Sequence, residues 1–366
     1  MSGLCDPSYC CPECFTDDWL RDTIETLSQH VGDCAHCGSK SVRLLPALDL
    51  RDAFENVMTC YSQVMFGENM SPDEDPTEVG EYPAVLMQDD FGIFSDLLDD
   101  SDKQAELLDE ILWRPQHKGS GPGFDPSGLY THRETLFDIS LGDEWDSFCR
   151  QIKKDPTAQW EYDNIDRWVT RTACSVPAGA LFYRARPGYT RKGRERLPHS
   201  GTEIGAPPLS KCKPARVNDE GQRVLYCADQ SHTAICEVRP LRGEYVSIGQ
   251  VRLTAPLQIA DLVNKLEAPN PFTTTVLRHE VEIHKVLRAF ASQLSRPLDW
   301  RDDETDYIPC RYLADRIRAA GLSGIRYGST MDRKGSNVVF FEVGCGEILN
   351  SSLVRVSEVD VKYTIL

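Results

Sequence analysis

One carboxylate in the second half of the chain stands at a position where it could do chemistry. In the stretch RVLYCADQSHTAICEVRP, residues 223–240, an apolar run that carries Tyr226 is followed by a helical run that ends on Glu237. Asp229 or Ser231 can cap this helix at its start, which places Glu237 about two turns further on. A lone carboxylate of this kind can stabilise an oxocarbenium ion, or hold a ribose hydroxyl as charge develops on the sugar.

Guanidinium, aromatic and hydroxyl groups elsewhere could complete such a site. Arg184 lies in the strand-like run LFYRAR, and Arg216 lies in the loop PARVNDEG. Ser329 stands in the Gly-rich turn GIRYGSTMDRKGSN, with Asn337 at its far end. Guanidinium groups suit phosphate, and a tyrosine offers an aromatic platform. Together with Tyr226 and the carboxylate, the set indicates a phosphate-bearing ligand that is cleaved through a cationic sugar transition state.

A second constellation lies near the N-terminus, where two Cys-x2-Cys pairs are separated by 19 residues. Two such pairs can close a tetrahedral zinc site, and the predicted ligands are Cys11, Cys14, Cys34 and Cys37. Four thiolates leave no open coordination position, so the predicted zinc site is structural. Cys10 and His36 are nearby and could replace one of the four.

Mostly helical segments precede residue 176. The spacing of apolar residues predicts helices between the two cysteine pairs, in 46–65, from Ser95 and from Glu144. Thr16 is the predicted cap of the first of these helices, whose apolar stripe runs as far as Val31. An acidic Pro/Asp-rich linker begins at Phe66, and a Gly/Pro-rich loop begins at Pro115.

Short alternating runs dominate after residue 176 and predict a sheet interspersed with helices. The predicted strands are Gly179–Arg186, Arg223–Ala228, Glu244–Leu253, Gly324–Tyr327 and Asn337–Val343, and the predicted helices are near 231–238, 273–295 and 308–320. The fold class is therefore α+β. Three domains are expected: a zinc-binding module over 1–45, an acidic helical domain over 46–170 and the mixed domain over 171–366.

The charge of the chain is uneven. The 366 residues carry a net charge of −17, which argues against broad affinity for nucleic acid. Residues 66–110 hold 15 acidic side chains and one lysine, whereas residues 184–216 hold nine basic side chains and two acidic ones. No apolar run approaches the length of a membrane helix, and the first residues do not resemble a signal peptide, so we expect a cytoplasmic protein with reduced thiols.

The second half of the chain resembles the RES domain, a family named for its Arg, Glu and Ser. The resemblance rests on the order of the motifs SVPAGALFYRAR, PARVNDEGQRVLYCADQSHTAICEVRP, SGIRYGST and GSNVVFFE, over roughly residues 176–345. The paired cysteine segment also looks like the N-terminal extension of some RES proteins. One departure is Ala215, because family members often have Gly before the loop arginine.

The resemblance implies a fold related to ADP-ribosyltransferases and an enzyme that consumes NAD+ as a bacterial toxin or phage-defence effector. By motif position, Arg184 and Arg216 would hold the NAD+ phosphates, and Tyr226 would pack on the nicotinamide or its ribose. Glu237 would be the catalytic carboxylate. Ser329 would complete the pocket, with Asn337 as a further binding residue.

Three activities stay open at this point. The enzyme could release nicotinamide to water or phosphate, it could transfer ADP-ribose to a protein, or the pocket could be degenerate in a non-enzymatic interaction protein. The resemblance implies an antitoxin or immunity protein as partner. The acidic helical half could dock a basic antitoxin, set the state of a homo-oligomer or keep the protein soluble.

Overall fold

The computed structural model of the chain describes residues 8–65, 75–112, 128–132, 141–161, 164–296 and 304–360. Residues 66–74 of the predicted acidic linker and residues 115–127 of the predicted Gly/Pro loop lie outside these ranges. The chain divides into two compact units, which are Met1–Ser140 with Ala268–Glu282, and Leu141–Glu267 with Ile283–Leu366. Within the described ranges, every helix is too short or too polar to span a bilayer.

The first unit combines small sheets with helices. Its elements are β1 Tyr9–Cys10, α1 Asp18–Leu27, β2 His30–Gly32, β3 Val42–Pro46, α2 Arg51–Met58, β4 Tyr61–Gln63, α3 Pro76–Val79, α4 Pro83–Phe91, α5 Ser101–Leu112 and β5 Tyr130–His132. Strands β1, β3 and β2 form one antiparallel sheet in that order, and β4 pairs with β5. Its buried core is aromatic and aliphatic, and includes Phe15, Phe54, Phe94, Ile111 and Leu277.

Two predicted helices of this unit differ from the structure. The cap of α1 is Asp17, whose side chain accepts the Leu20 N–H, whereas the Thr16 hydroxyl donates to the carbonyl of Ile93. The helix ends before Val31, which lies in β2 with 68% of its surface exposed. The expected helix over 46–65 keeps only its middle part as α2, because the residues after it pair as β4 with β5.

The second unit is built on one large mixed sheet. Its elements are α6 Leu141–Lys154, α7 Ile165–Thr170, β6 Ala173–Val176, β7 Leu181–Pro187, β8 Thr190–Lys192, β9 Glu195–Leu197, β10 Leu225–Ala228, α8 Ser231–Glu237, β11 Tyr245–Leu253, β12 Leu257–Asp261, α9 Leu277–Ser295, which begins in the first unit, α10 Ile308–Ala319, β13 Gly324–Gly328, β14 Ser336–Phe340 and β15 Gly346–Arg355. The sheet order is β15-β11-β7-β10-β14-β13-β12-β6, and the β12–β13 pair is parallel. The predicted α+β class is confirmed.

The two faces of this sheet bury different cores. Because side chains alternate along a strand, neighbours such as Val338 and Val339 point to opposite faces. Val339 belongs to a large core that also contains residues of α6, α7, α9 and α10. Val338 belongs to a smaller core with Phe182, Cys227 and Val251. We call these the helical face and the far face of the sheet.

Candidate active site

Three of the predicted residues meet at the end of α8. The Ser329 hydroxyl donates to Oε1 of Glu237 at 2.6 Å, and Nδ2 of Asn337 donates to the same oxygen at 2.7 Å. Ser329 and Asn337 are 9% and 7% exposed, whereas Glu237 is an exposed residue. One carboxylate oxygen is therefore fixed by two buried donors, while Glu237 itself remains accessible from the surface.

The topology of the sheet explains this meeting. Ser329 immediately follows β13, and Asn337 is the second residue of β14, which pairs with both β13 and β10. Helix α8 begins three residues after β10 ends, so its last residue, Glu237, reaches back over the start of β14. The β13–β14 hairpin and helix α8 leave neighbouring strands. Glu237 therefore contacts Ser329, which is 92 positions later in the chain, and Asn337, which is 100 positions later.

Tyr226 and Arg216 belong to the helical face. Tyr226 packs against the core of that face, and its hydroxyl donates to Oδ1 of Asn218 at 3.0 Å and accepts the Val217 N–H at 3.1 Å. Burial raises the pKa of Tyr226 to about 12, so the hydroxyl stays protonated at neutral pH. The Arg216 Nη1 donates to the carbonyls of Leu294, at 2.5 Å, and Arg296, at 2.9 Å. These carbonyls lie at the C-terminal end of α9, where helices leave acceptors unpaired.

Arg184 lies on the far face. It is two residues from Phe182 on β7 and opposite Gly249 of β11, which places its side chain with the smaller core. Its Nη1 donates to the Tyr226 carbonyl at 2.7 Å, and its Nε donates to the Ile204 carbonyl at 2.9 Å. Arg184 therefore contacts the site only through the backbone of β10. The sheet lies between its guanidinium group and the Glu237 carboxylate.

Two tyrosines that the sequence reasoning did not nominate lie on the helical face beside Asn337. The register places Tyr183, Ala228, Asn337 and Tyr327 opposite one another across β7, β10, β14 and β13. Tyr327 is buried, and burial raises its pKa. Tyr183 is half-buried, with the small side chain of Ala228 between it and Asn337. The only sequence signal for Tyr183 was its position next to Arg184.

The four predicted cysteines converge in the first unit. The Sγ atoms of Cys11, Cys14, Cys34 and Cys37 all lie within 4.8 Å of one another. Three of the separations are 3.8, 3.4 and 3.6 Å. A tetrahedral zinc–thiolate site with bonds of about 2.3 Å requires sulfur separations of about 3.8 Å, so the cluster fits a metal of this kind.

The alternative ligands have other partners. The Cys10 thiol donates to the Leu45 carbonyl at 3.7 Å, and burial raises its pKa to about 12. Nε2 of His36 lies 2.9 Å from a carboxylate oxygen of Glu110. Neither residue is part of the four-cysteine cluster.

Comparison with known proteins identifies a family in the C-terminal half of the chain. Residues 182–361 match the family model described as the RES domain. The chain carries a RES domain. Among solved structures, it is similar to the crystal structure of the M. tuberculosis MbcT–MbcA toxin–antitoxin complex, at 12% identity over 53% of this chain and 93% of the matched chain, with a TM-score of 0.29. No curated protein matches the chain.

A basic segment over residues 189–213 contacts the far face of the sheet. It begins with the β8–β9 hairpin, whose Arg191, Lys192 and Arg194 are exposed. Further along, Ile204 is fully buried, and a Cβ added at Gly249 would lie 2.8 Å from its Cγ1. Ile204 therefore packs on the face that carries Arg184, and its carbonyl accepts the Arg184 Nε–H.

Proposed function

We propose that the RES domain cleaves the bond between nicotinamide and ribose in NAD+, with Glu237 as the catalytic carboxylate. The supporting observation is the pair of short hydrogen bonds from Ser329 and Asn337 to Oε1. They fix the carboxylate and leave Oε2 for the ribose. Preorganised charge of this kind stabilises a cationic transition state without reorganising during the reaction.

In the proposed reaction, the C1′–N bond breaks and both of its electrons go to the ring nitrogen, which neutralises the pyridinium. Positive charge develops on C1′ and the ring oxygen of the ribose, and Oε2 of Glu237 faces it or holds the 2′-hydroxyl. An oxygen of water or phosphate then forms the new bond to C1′, and water loses its proton to solvent. Nicotinamide leaves, together with ADP-ribose or its 1-phosphate.

The proposed roles of the other predicted site residues follow from the face of the sheet on which each lies. Tyr226 lies on the same face as Glu237 and forms part of the proposed pocket floor. Arg216 already caps α9, and its remaining N–H groups are proposed to meet the pyrophosphate. Phosphate binding by Arg184 stays a prediction from the resemblance, because its side chain lies on the far face. Its proposed contribution is to bind the Tyr226 carbonyl and so to fix the position of strand β10.

The test is turnover of NAD+ by the full-length protein, with products separated by chromatography. We expect wild-type protein to release nicotinamide, and Glu237→Gln to lose at least about 100-fold in rate. Glu195→Gln, an exposed carboxylate on β9, is the matched control and should keep full activity. Free ADP-ribose identifies hydrolysis, and its phosphate identifies phosphorolysis. Label retained on a protein band would identify a transferase instead, and no turnover under either acceptor would reject the proposal.

We propose that the four-cysteine cluster holds structural zinc. Four thiolates at tetrahedral spacing bind such an ion without an open position for substrate. Metal analysis of protein purified without chelator should give about one zinc per chain.

The proposed chemistry supports a role as a toxin, since loss of NAD+ would arrest the cell that makes the protein. An antitoxin or immunity protein is the corresponding proposed partner. Expression of wild-type protein in a bacterial host should lower cellular NAD+ and stop growth, whereas the Glu237→Gln variant should do neither. Growth arrest by both proteins would separate toxicity from NAD+ cleavage.

A further inference from the structure

The loop that carries Ser329 is organised around the hydroxyl of this residue. While it donates to Glu237, the Ser329 Oγ accepts the N–H groups of Met331, at 3.2 Å, and Asp332, at 3.1 Å. The loop is closed by the Gly335 N–H, which donates to the Asp332 carbonyl, and by the Ser329 N–H, which donates to the Gly335 carbonyl. A serine bound to its own loop in this way has a fixed side-chain direction.

The same loop is fastened to α8 one turn before Glu237. The Thr233 hydroxyl donates to Oδ2 of Asp332 at 2.7 Å, and Oδ1 of Asp332 accepts the Lys334 N–H at 3.2 Å. Thr233 is fully buried. Residues four apart on a helix lie on one face, so Thr233 and Glu237 present two attachment points to the loop.

Close packing supports this attachment. A Cβ added at Gly335 would lie 2.0 Å from Oγ1 of Thr233, so glycine allows the loop backbone to lie against the helix. The hydrogen bond from Thr233 also lowers the pKa of Asp332, which keeps this carboxyl charged and accepting at neutral pH.

We propose that Thr233 and Asp332 are positioning residues that clamp the β13–β14 loop to α8 and thereby hold Ser329 against Glu237. Neither residue contacts Oε1 of Glu237, which accepts from Ser329 and Asn337. The clamp rests on the proposed function for its catalytic consequence, although its effect on the Glu237 carboxylate can be measured without turnover.

The test compares Thr233→Val, which removes the hydroxyl at nearly constant volume, with Thr233→Ser, which retains it. We expect Thr233→Val to lower kcat for NAD+ about ten-fold with KM changed less than about two-fold, and Thr233→Ser to stay within about two-fold of wild type. Thr254→Val is the control, because its hydroxyl donates to the Cys345 carbonyl elsewhere in the same unit. It should leave kcat unchanged.

A second readout is the carboxyl 13C resonance of Glu237 at pH 7, assigned with Glu237→Gln. Thr233→Val should move this resonance in the same direction as Ser329→Ala, while Thr233→Ser should not. If Ser329→Ala moves the resonance and Thr233→Val leaves both it and kcat unchanged, the clamp is refuted and the proposed function stands. If the resonance responds as expected but wild-type protein cleaves no NAD+, the clamp stands and the proposed function is refuted.

Discussion

Gly335→Ala tests how closely the β13–β14 loop lies against α8. The added Cβ would lie 2.0 Å from Oγ1, 2.7 Å from Cγ2 and 2.8 Å from Cβ of Thr233. Gly335 does not have a left-handed φ, so the penalty comes from this overlap and not from the backbone. Overpacking of this kind costs about 1–3 kcal/mol. Ordinary contact begins at 3.4 Å, so the loop and the helix would have to separate by about 1.4 Å, which would break the 2.6 Å hydrogen bond between Ser329 and Glu237.

The assay is urea unfolding together with the rate of NAD+ cleavage. Gly344→Ala is the matched control, because its added Cβ would meet nothing within 4 Å and its φ is also not left-handed. Thr233→Ala removes two of the three atoms closest to the added Cβ. The loss in free energy of unfolding in the Gly335→Ala/Thr233→Ala double variant should therefore be smaller, by at least about 1 kcal/mol, than the sum of the losses in the two single variants. Equal stability of the Gly335→Ala and Gly344→Ala proteins, or strict additivity in the cycle, would show that the loop does not lie against the helix.

Two further perturbations address other contacts. Replacing Cys34 and Cys37 by Ser should release the metal and lower the melting temperature. A strong chelator should lower the melting temperature of wild type but not that of the variant. An unchanged melting temperature of metal-stripped wild type would contradict a structural zinc. Tyr226→Phe should lower the free energy of unfolding by about 1–2 kcal/mol, since it leaves the Val217 N–H and the side-chain Oδ1 of Asn218 without this partner. Burial raises the Tyr226 pKa to about 12, above the value of about 10 for an unfolded chain. The contribution of the protonated Tyr226 hydroxyl to the free energy of unfolding is therefore fully present below about pH 10 and is lost as the pH rises toward 12. Wild type should therefore lose more stability than Tyr226→Phe between pH 9 and pH 12, and parallel losses would contradict this assignment.

Local spacing was sufficient to predict the cysteine cluster. Each Cys-x2-Cys pair forms its own turn, so the prediction needed only the two turns to meet, and the four Sγ atoms do so. Helix α6 was predicted for a similar reason, because the buried Trp145, Phe148 and Ile152 recur at helical spacing. Helix α2 was predicted too long, because pairing between β4 and β5 depends on residues about 70 positions apart.

The arrangement of the candidate site depended on information that no local pattern contains. The order of motifs nominated Glu237, Ser329 and Asn337, which share hydrogen bonds. It also nominated Arg184, but the face on which a strand residue lies relative to a distant helix is set by register. Tyr183 and Arg184 differ by one position and therefore lie on opposite faces. Only the pairing of β7 with β10 and β11 reveals which of them shares the face of Glu237.

The division of the chain into units has a consequence for the order in which they can fold during synthesis. The first unit includes residues 268–282, and its core contains Phe272 and Leu277. A ribosome must therefore translate most of the second unit before the first can be completed. Residues 1–140 emerge before residues 268–282, so the hydrophobic surface of the earlier residues stays uncovered until more than 120 further residues have been translated after residue 140. Premature termination before residue 268 would leave that surface uncovered and would direct the fragment toward proteolysis.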